Sequence, residues 1–183
     1  MEEPTAPPAP ASSPNDDPPL PVIDLADADT TATAARLRQA CMDQGFFYLI
    51  GHGVNPALME AALRQCRSFF ALPLADKMAL RPVDGAGGFD ASQGYQPYQS
   101  EMVNPAEQTQ PCTLEGFRLK LTTGHGDAAD AAARAAHPWP GEAAMPGFRA
   151  TMLEYHDTMQ ALAYRVTQLL LEAVGLPPVR RCD

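Results

Sequence analysis

Between residues 20 and 80 the apolar positions alternate between short continuous runs and long stripes at helical spacing. Pro21-Val22-Ile23-Asp24-Leu25 is a short apolar run after a proline, which predicts one buried strand. From Thr30 to Gln44, Ala34, Leu37, Ala40 and Cys41 recur at helical spacing, and Gly45 supplies the stop. Phe46-Phe47-Tyr48-Leu49-Ile50 is aromatic, β-branched at its end and bounded by glycines, so it predicts a second strand. Asn55-Pro56 then opens a helix, with the asparagine as cap and the proline in the first turn. That helix gathers Leu58, Met59, Ala62, Leu63, Cys66, Phe69 and Phe70 on one face and Glu60, Arg64, Gln65 and Arg67 on the other. Pro73 ends it, because proline donates no helical hydrogen bond and restricts the residue before it. A short helical turn over Leu74 to Leu80 follows.

The pattern then weakens. Residues 82–146 are rich in Gly, Pro, Ser and Gln and read as largely irregular, with Leu114 to Leu121 the one strand candidate. From Pro146 to Val174 a long stripe returns, carried by Met152, Tyr155, Met159, Leu162, Ala163, Val166, Leu169, Leu170 and Ala173. Gly175 and Pro177-Pro178 stop it. At 1.5 Å per residue such a helix is about 40 Å long, enough to brace one side of a domain. The organisation expected is a tail over 1–19, one domain over 20–179 with the long helix at 147–174, and a short end at 180–183.

Composition narrows the function classes. A hydrophobic content of 45% is enough for a core. The net charge of −9 argues against nucleic acid or an anionic membrane surface as partner. No apolar stretch reaches the roughly 18 residues that span a bilayer. Cys41, Cys66, Cys112 and Cys182 form no CxxC pair, which gives neither a zinc framework nor a disulfide scaffold and suits a reducing, cytoplasmic setting. Cys41 and Cys66 fall in helical patterns and are expected to be buried packing residues. The first nineteen residues hold seven prolines and four acidic groups, so they read as a solvated tail and not as a signal or transit peptide.

Several marks carry a family resemblance. PVIDL at 21–25, GFFYLIGHGV at 45–54 and FFALPLADKM at 69–78 are the strongest. GYQPYQSE at 94–101, LEGFRL at 114–119, HPWP at 137–140 and PGFRATMLEY from 146 follow in order. Together they resemble the N-terminal region of iron(II)- and 2-oxoglutarate-dependent dioxygenases of the isopenicillin N synthase and flavonoid oxygenase type. The resemblance implies an α/β (α+β) fold: a helix-rich region whose two short strands add to a C-terminal double-stranded β-helix. It also implies, for a complete member, Fe(II) held by His-x-Asp and a distant His, and 2-oxoglutarate held by Arg-x-Ser. Those motifs belong to the C-terminal half, beyond Asp183, so no catalytic or metal-binding residue is carried over to this chain. Only Tyr95 is implied to approach ligand, as a residue lining the substrate pocket.

The remaining candidate chemistry is thin. His125-Gly126-Asp127 reads His-x-Asp, with His137 or His156 as distant partner, but such a triplet arises by chance and its neighbours suit a flexible loop. His52, in GHG, is expected to close the turn after the second strand. His137 before Pro138 reads as a loop residue. His156 reads as a boundary residue whose neighbour Asp157 projects about 100° away on the helix. Gly85-Ala86-Gly87-Gly88 has no following lysine and no helix start, so it cradles no phosphate.

Two readings of function stand. In one, the chain is the N-terminal part of an oxidoreductase that hydroxylates, desaturates or cyclises a small organic molecule, and the part in hand is not itself catalytic. The ending Arg180-Arg181-Cys182-Asp183, without a capping signal, favours truncation. In the other, the chain is a stand-alone, non-catalytic protein-interaction module. In the first reading, unpaired sheet edges and apolar surface near Leu162, Val166 and Leu169 are expected to drive self-association or the need for a partner; in the second, the tail and the exposed sheet edges would be the binding surfaces.

Overall fold

The computed structural model describes residues 19–81, 93–100, 102, 104, 106–107, 109–121 and 127–178. The chain divides into two units, Met1–His52 with Thr167–Pro178, and Gly53–Val166 with Val179–Asp183.

In the first unit, β1 (Val22–Asp24) and β2 (Tyr48–Ile50) pair in parallel, with Val22 opposite Tyr48, Ile23 opposite Leu49 and Asp24 opposite Ile50. Tyr48 N–H donates to Pro21 O at 2.8 Å and Leu25 N–H to Ile50 O at 2.9 Å, which prolongs the ladder at both ends. The connection between them is α1 (Thr30–Asp43), as a parallel pair requires. Asp29 caps this helix by accepting the Ala32 N–H at 2.9 Å. Gly45, at φ 74°, ends it with its N–H on Ala40 O at 3.0 Å. Ile23, Leu25, Ala34, Leu37, Ala40 and Leu169 form the buried set. Gly51 is obligatory: a Cβ there would lie 2.0 Å from Asp24 Oδ1, the atom that accepts the Ala26 N–H.

In the second unit, α2 (Pro56–Phe70) starts where Asn55 accepts the Ala57 N–H at 2.9 Å. It buries Leu58, Ala62 and Phe69. The short α3 (Leu74–Met78) follows. An antiparallel pair comes next, β3 (Gly94–Gln96) with β4 (Gly116–Arg118), placing Tyr95 opposite Phe117. Then come α4 (Asp127–Ala136) and α5 (Phe148–Ala173), whose last residues count in the first unit. Ala62, Phe69, Tyr95, Met145, Phe148 and Met152 make the core cluster of this unit. Phe69 is its centre: its ring lies 4.5 Å from Phe117, 5.5 Å from Phe148 and 6.3 Å from Tyr95, centroid to centroid. Gly175 closes α5 at φ 72°, with its N–H on Glu172 O at 3.0 Å and the Leu176 N–H on Leu171 O at 2.9 Å, the paired bonds of a Schellman end.

The structure departs from the sequence pattern at identifiable points. The second strand is shorter than Phe46–Ile50, because only Tyr48, Leu49 and Ile50 have β1 opposite them. Within 82–146, β4 lies inside the strand candidate, but β3 and α4 were not foreseen. Seven of the ten residues of α4 are alanine, so the helix forms from propensity and shows no large apolar stripe. Arg134 fixes it, through two hydrogen bonds to Asp157 at 2.9 and 2.5 Å and one from Nε to Leu121 O at 3.2 Å. Cys41 is exposed, not buried, because Thr33, Ala34, Leu37 and Ala40 take the inward positions of α1; Cys66 is half-buried against the core cluster.

The apolar surface also lies elsewhere than expected. Leu169 is buried and Leu162 and Val166 are half-buried. Exposed large side chains occur in several places, and four of them belong to the β1–β2 pair and its approach: Val22 at 55%, Phe46 at 71%, Tyr48 at 61% and Ile50 at 49% exposure. Alternation along each strand explains it, since Ile23, Leu25 and Leu49 take the inward positions.

Candidate functional site

Tyr95 is the one side chain for which a ligand contact was expected, and the structure places it inside. Gly94, at φ 82°, turns the chain into β3 so that Tyr95 N–H reaches Leu80 O at 3.0 Å. A Cβ on Gly94 would stand 2.3 Å from that same carbonyl oxygen, so only glycine fits this approach. The Tyr95 ring is 1% exposed, and its hydroxyl donates to Glu115 Oε2 at 2.6 Å. The same carboxylate oxygen accepts from Lys77 Nζ at 3.0 Å, and Lys77 also donates to Phe70 O at 3.0 Å.

Lys77, Glu115 and Tyr95 thus form a bracket joining α3, the residue before β4, and β3. Lys77 is itself buried, so its charge is stable only because Glu115 and a backbone carbonyl face it. Hydrogen bonds from Tyr95 and then Lys77 hold the Glu115 carboxyl below its ordinary range, against the opposing effect of desolvation. Burial first, and then the adjacent Glu115, push the Tyr95 hydroxyl up to about 12, so it remains a protonated donor at neutral pH. Sequence reasoning passed over this pair. The available signal was a lysine inside the apolar run FFALPLADKM and a glutamate flanked by Leu114 and Phe117.

The described histidines form no common metal-binding group. His52 is half-buried in the turn after β2. His156 lies on α5 with its Nδ1 3.3 Å from Asp157 Oδ1, while that carboxylate is held by Arg134. His137 follows α4 directly and is 3% exposed, so the residue read as a loop histidine is a core residue. His125 and Gly126 lie outside the described residues, as do the side chain of Asp127 and the segment Gly85-Ala86-Gly87-Gly88. Among the described residues, no group of three or more His, Cys, Asp or Glu side chains stands ready to hold a metal ion. No described helix is long and apolar enough to cross a membrane.

One groove of about 330 Å³ runs between α2 and the turn before α5. Arg64, Gln65 and Ser68 line it from the helix, and Met145 and Pro146 from the turn. Gln65 Nε2 donates to Pro146 O at 3.1 Å, which ties the two walls together. Nothing in it converges on a reacting group.

Residues 20–142 match the family described as non-haem dioxygenase in morphine synthesis N-terminal. The chain is 28% identical over 158 residues to the azadirone synthase of Melia azedarach, covering 86% of this chain and 46% of that protein. It is 31% identical over 171 residues to the 2-oxoglutarate-dependent dioxygenase citB of Monascus ruber, covering 87% of this chain and 49% of that one. Among solved structures, the rice dioxygenase for auxin oxidation superposes with a TM-score of 0.63 at 27% identity, over 88% of this chain and 47% of that chain. The chain spans about half the length of the curated relatives it matches.

Proposed function

Because this chain belongs to the non-haem dioxygenase N-terminal family, we propose that it is the N-terminal portion of an iron(II)- and 2-oxoglutarate-dependent oxygenase. The complete enzyme would hydroxylate, desaturate or cyclise a small organic molecule in a reducing, cytoplasmic setting. The family match over residues 20–142 carries this reading. The relatives named as dioxygenases, citB of Monascus ruber and the rice auxin-oxidising enzyme, support the reaction class and not a substrate.

The described residues do not fit iron, since the histidines among them form no three-ligand group with any carboxylate or thiol. No catalytic step is therefore assigned to them. Their part in this reading is architectural. Tyr95 serves a substrate pocket by bracing β3 and not by its own surface, because its ring is buried and its hydroxyl is committed to Glu115. The outward face of β1 and β2 receives further β structure. A parallel strand pair that is apolar on both faces is the pattern of a sheet covered on both sides.

Sequencing the transcript downstream of Asp183 is the test. An open frame carrying His-x-Asp, a distant His and Arg-x-Ser supports the oxygenase. A stop at that point moves the balance to a stand-alone interaction module, a reading that the exposed Val22, Phe46, Tyr48 and Ile50 favour.

A further inference from the structure

His137 is the most poorly matched buried group among the described residues. Three buried side-chain polar atoms there lack a hydrogen-bond partner: Gln44 Oε1 and both ring nitrogens of His137. Its backbone N–H is held on Ala133 O at 3.1 Å, so the chain is anchored at the end of α4 while the ring enters the core. There the imidazole meets Trp139 edge-on at 4.5 Å and Phe117 edge-on at 5.4 Å between centroids.

A neutral imidazole fits such a box as a small aromatic ring. An imidazolium does not. It would carry two N–H donors without acceptors, and its charge would face that of Arg149 from α5, whose guanidinium lies 5.6 Å from the Trp139 ring centroid. The other charged groups on the surrounding elements give no relief. Arg134 of α4 is paired with Asp157, Glu115 beside β4 is held by Lys77 and Tyr95, and Arg118 alternates to the exposed face of β4. A cation beside aromatic rings gains too little to offset two unpaired donors. Burial first and Arg149 second lower the His137 pKa from 6.5 to about 4.

We propose that His137 is an acid-sensitive latch of the second unit: neutral, it holds the segment 137–147 on the aromatic core, and protonated, it leaves the core and frees that segment. The segment carries Trp139, whose Nε1 donates to Arg134 O at 2.9 Å, and the buried Met145. Through Pro146 O it also forms one wall of the groove beside α2. Release therefore widens that groove.

The direction follows from linkage. Between pH 6.5 and about 4 the unfolded chain binds more protons at His137 than the folded chain, so stability is lost as pH falls through this window. Glu115 and Asp157, whose carboxyls are held below their ordinary values of 4.5 and 3.8, begin to lose their contribution as pH falls past those values, at the acid end of this window and below it, so the His137→Phe comparison separates their effect from that of the imidazole.

Trp139 is the single tryptophan of the chain and touches the latch, so its fluorescence reads the event directly. The full chain is titrated from pH 7.5 to 4 at fixed ionic strength, beside His137→Phe and His156→Gln. A reversible change in Trp139 emission is expected as pH falls from about 5.5 to 4. It should be absent in His137→Phe and retained in His156→Gln. A flat profile in the unaltered chain, or an unchanged transition in folded His137→Phe, overturns the latch. If His137→Phe does not fold, the ring Cε1–H resonance of His137 in the unaltered chain decides. The expected midpoint lies at about 4, well below the ordinary imidazole value of 6.5, and a midpoint at the ordinary value overturns the proposal.

Discussion

The described residues contain two strand pairs of equal length built on opposite terms. β3 is buried along its whole length, and its partner β4 delivers Phe117 to a core centred on Phe69. β1 and β2 bury alternate residues and leave Val22, Tyr48 and Ile50 in solvent. In the first case three residues suffice for a strand because helices, an ion pair and a tyrosine hydroxyl close around it. In the second the pairing is equally regular, yet Val22, Tyr48 and Ile50 face water. Three-residue strands are therefore not self-sufficient units: their stability is set by what covers them. The closed pair is covered at every residue of β3, and the open pair leaves Val22, Tyr48 and Ile50 in solvent.

The largest expected effect breaks the closed region. Phe69→Ala removes the ring that meets Phe70, Tyr95, Phe117 and Phe148. A loss of about 3–5 kcal/mol is expected in denaturant unfolding. Next comes the bracket. Lys77→Met leaves Glu115 charged beside Tyr95 without its cation and should cost about 2–3 kcal/mol. Adding Glu115→Leu should recover part of that loss, which a double-mutant cycle measures. In Glu115→Gln the Tyr95 hydroxyl, no longer facing a carboxylate, should titrate below its value of about 12 in an ultraviolet titration.

The open region responds differently. Gly51→Ala places a methyl group against Asp24 and the Ala26 backbone at a positive φ, so the expected loss is at least that of the left-handed conformation alone, about 1–2 kcal/mol. The smallest effect on stability is expected from Phe46→Ser with Tyr48→Thr, within about 0.5 kcal/mol, because both side chains are already in solvent. Their effect on association should be the opposite. Sedimentation velocity and dye binding should show the unaltered chain self-associating and the double variant less so. Undiminished association in the variant would place the sticky surface elsewhere.

The legible parts of this molecule are those written in local chemistry. Asn55-Pro56 announces a helix start, Gly175 before Pro177 announces a helix end, and the structure uses both as caps. β1, α2 and α5 follow from periodicity. The parts that escaped are those whose cause lies far along the chain. Lys77 and Glu115 are 38 positions apart, and neither residue by itself distinguishes a solvated charge from a bracketed one. Tyr95 was singled out by family likeness, but which way its ring turns depends on Phe69 and Glu115. His137 looked like loop punctuation because Pro138 follows it. Its burial is decided by Phe117 and Trp139 packing on either side of that turn. α4 was missed for a different reason, since alanine writes helix propensity without writing a face.

That helix has a kinetic consequence. At ten residues α4 is below the length at which helices persist unaided in water, and Arg134 anchors it through Asp157 and Leu121 O. The clasp on Asp157 is half in solvent and loosens as salt rises. Backbone amides of α4 should then exchange with deuterated water by a local opening of their own, accelerated by salt. Those of α2 and α5 around Phe69 should exchange only when the whole unit opens. The chain thus carries two clocks, one set by a single arginine and one by an aromatic core.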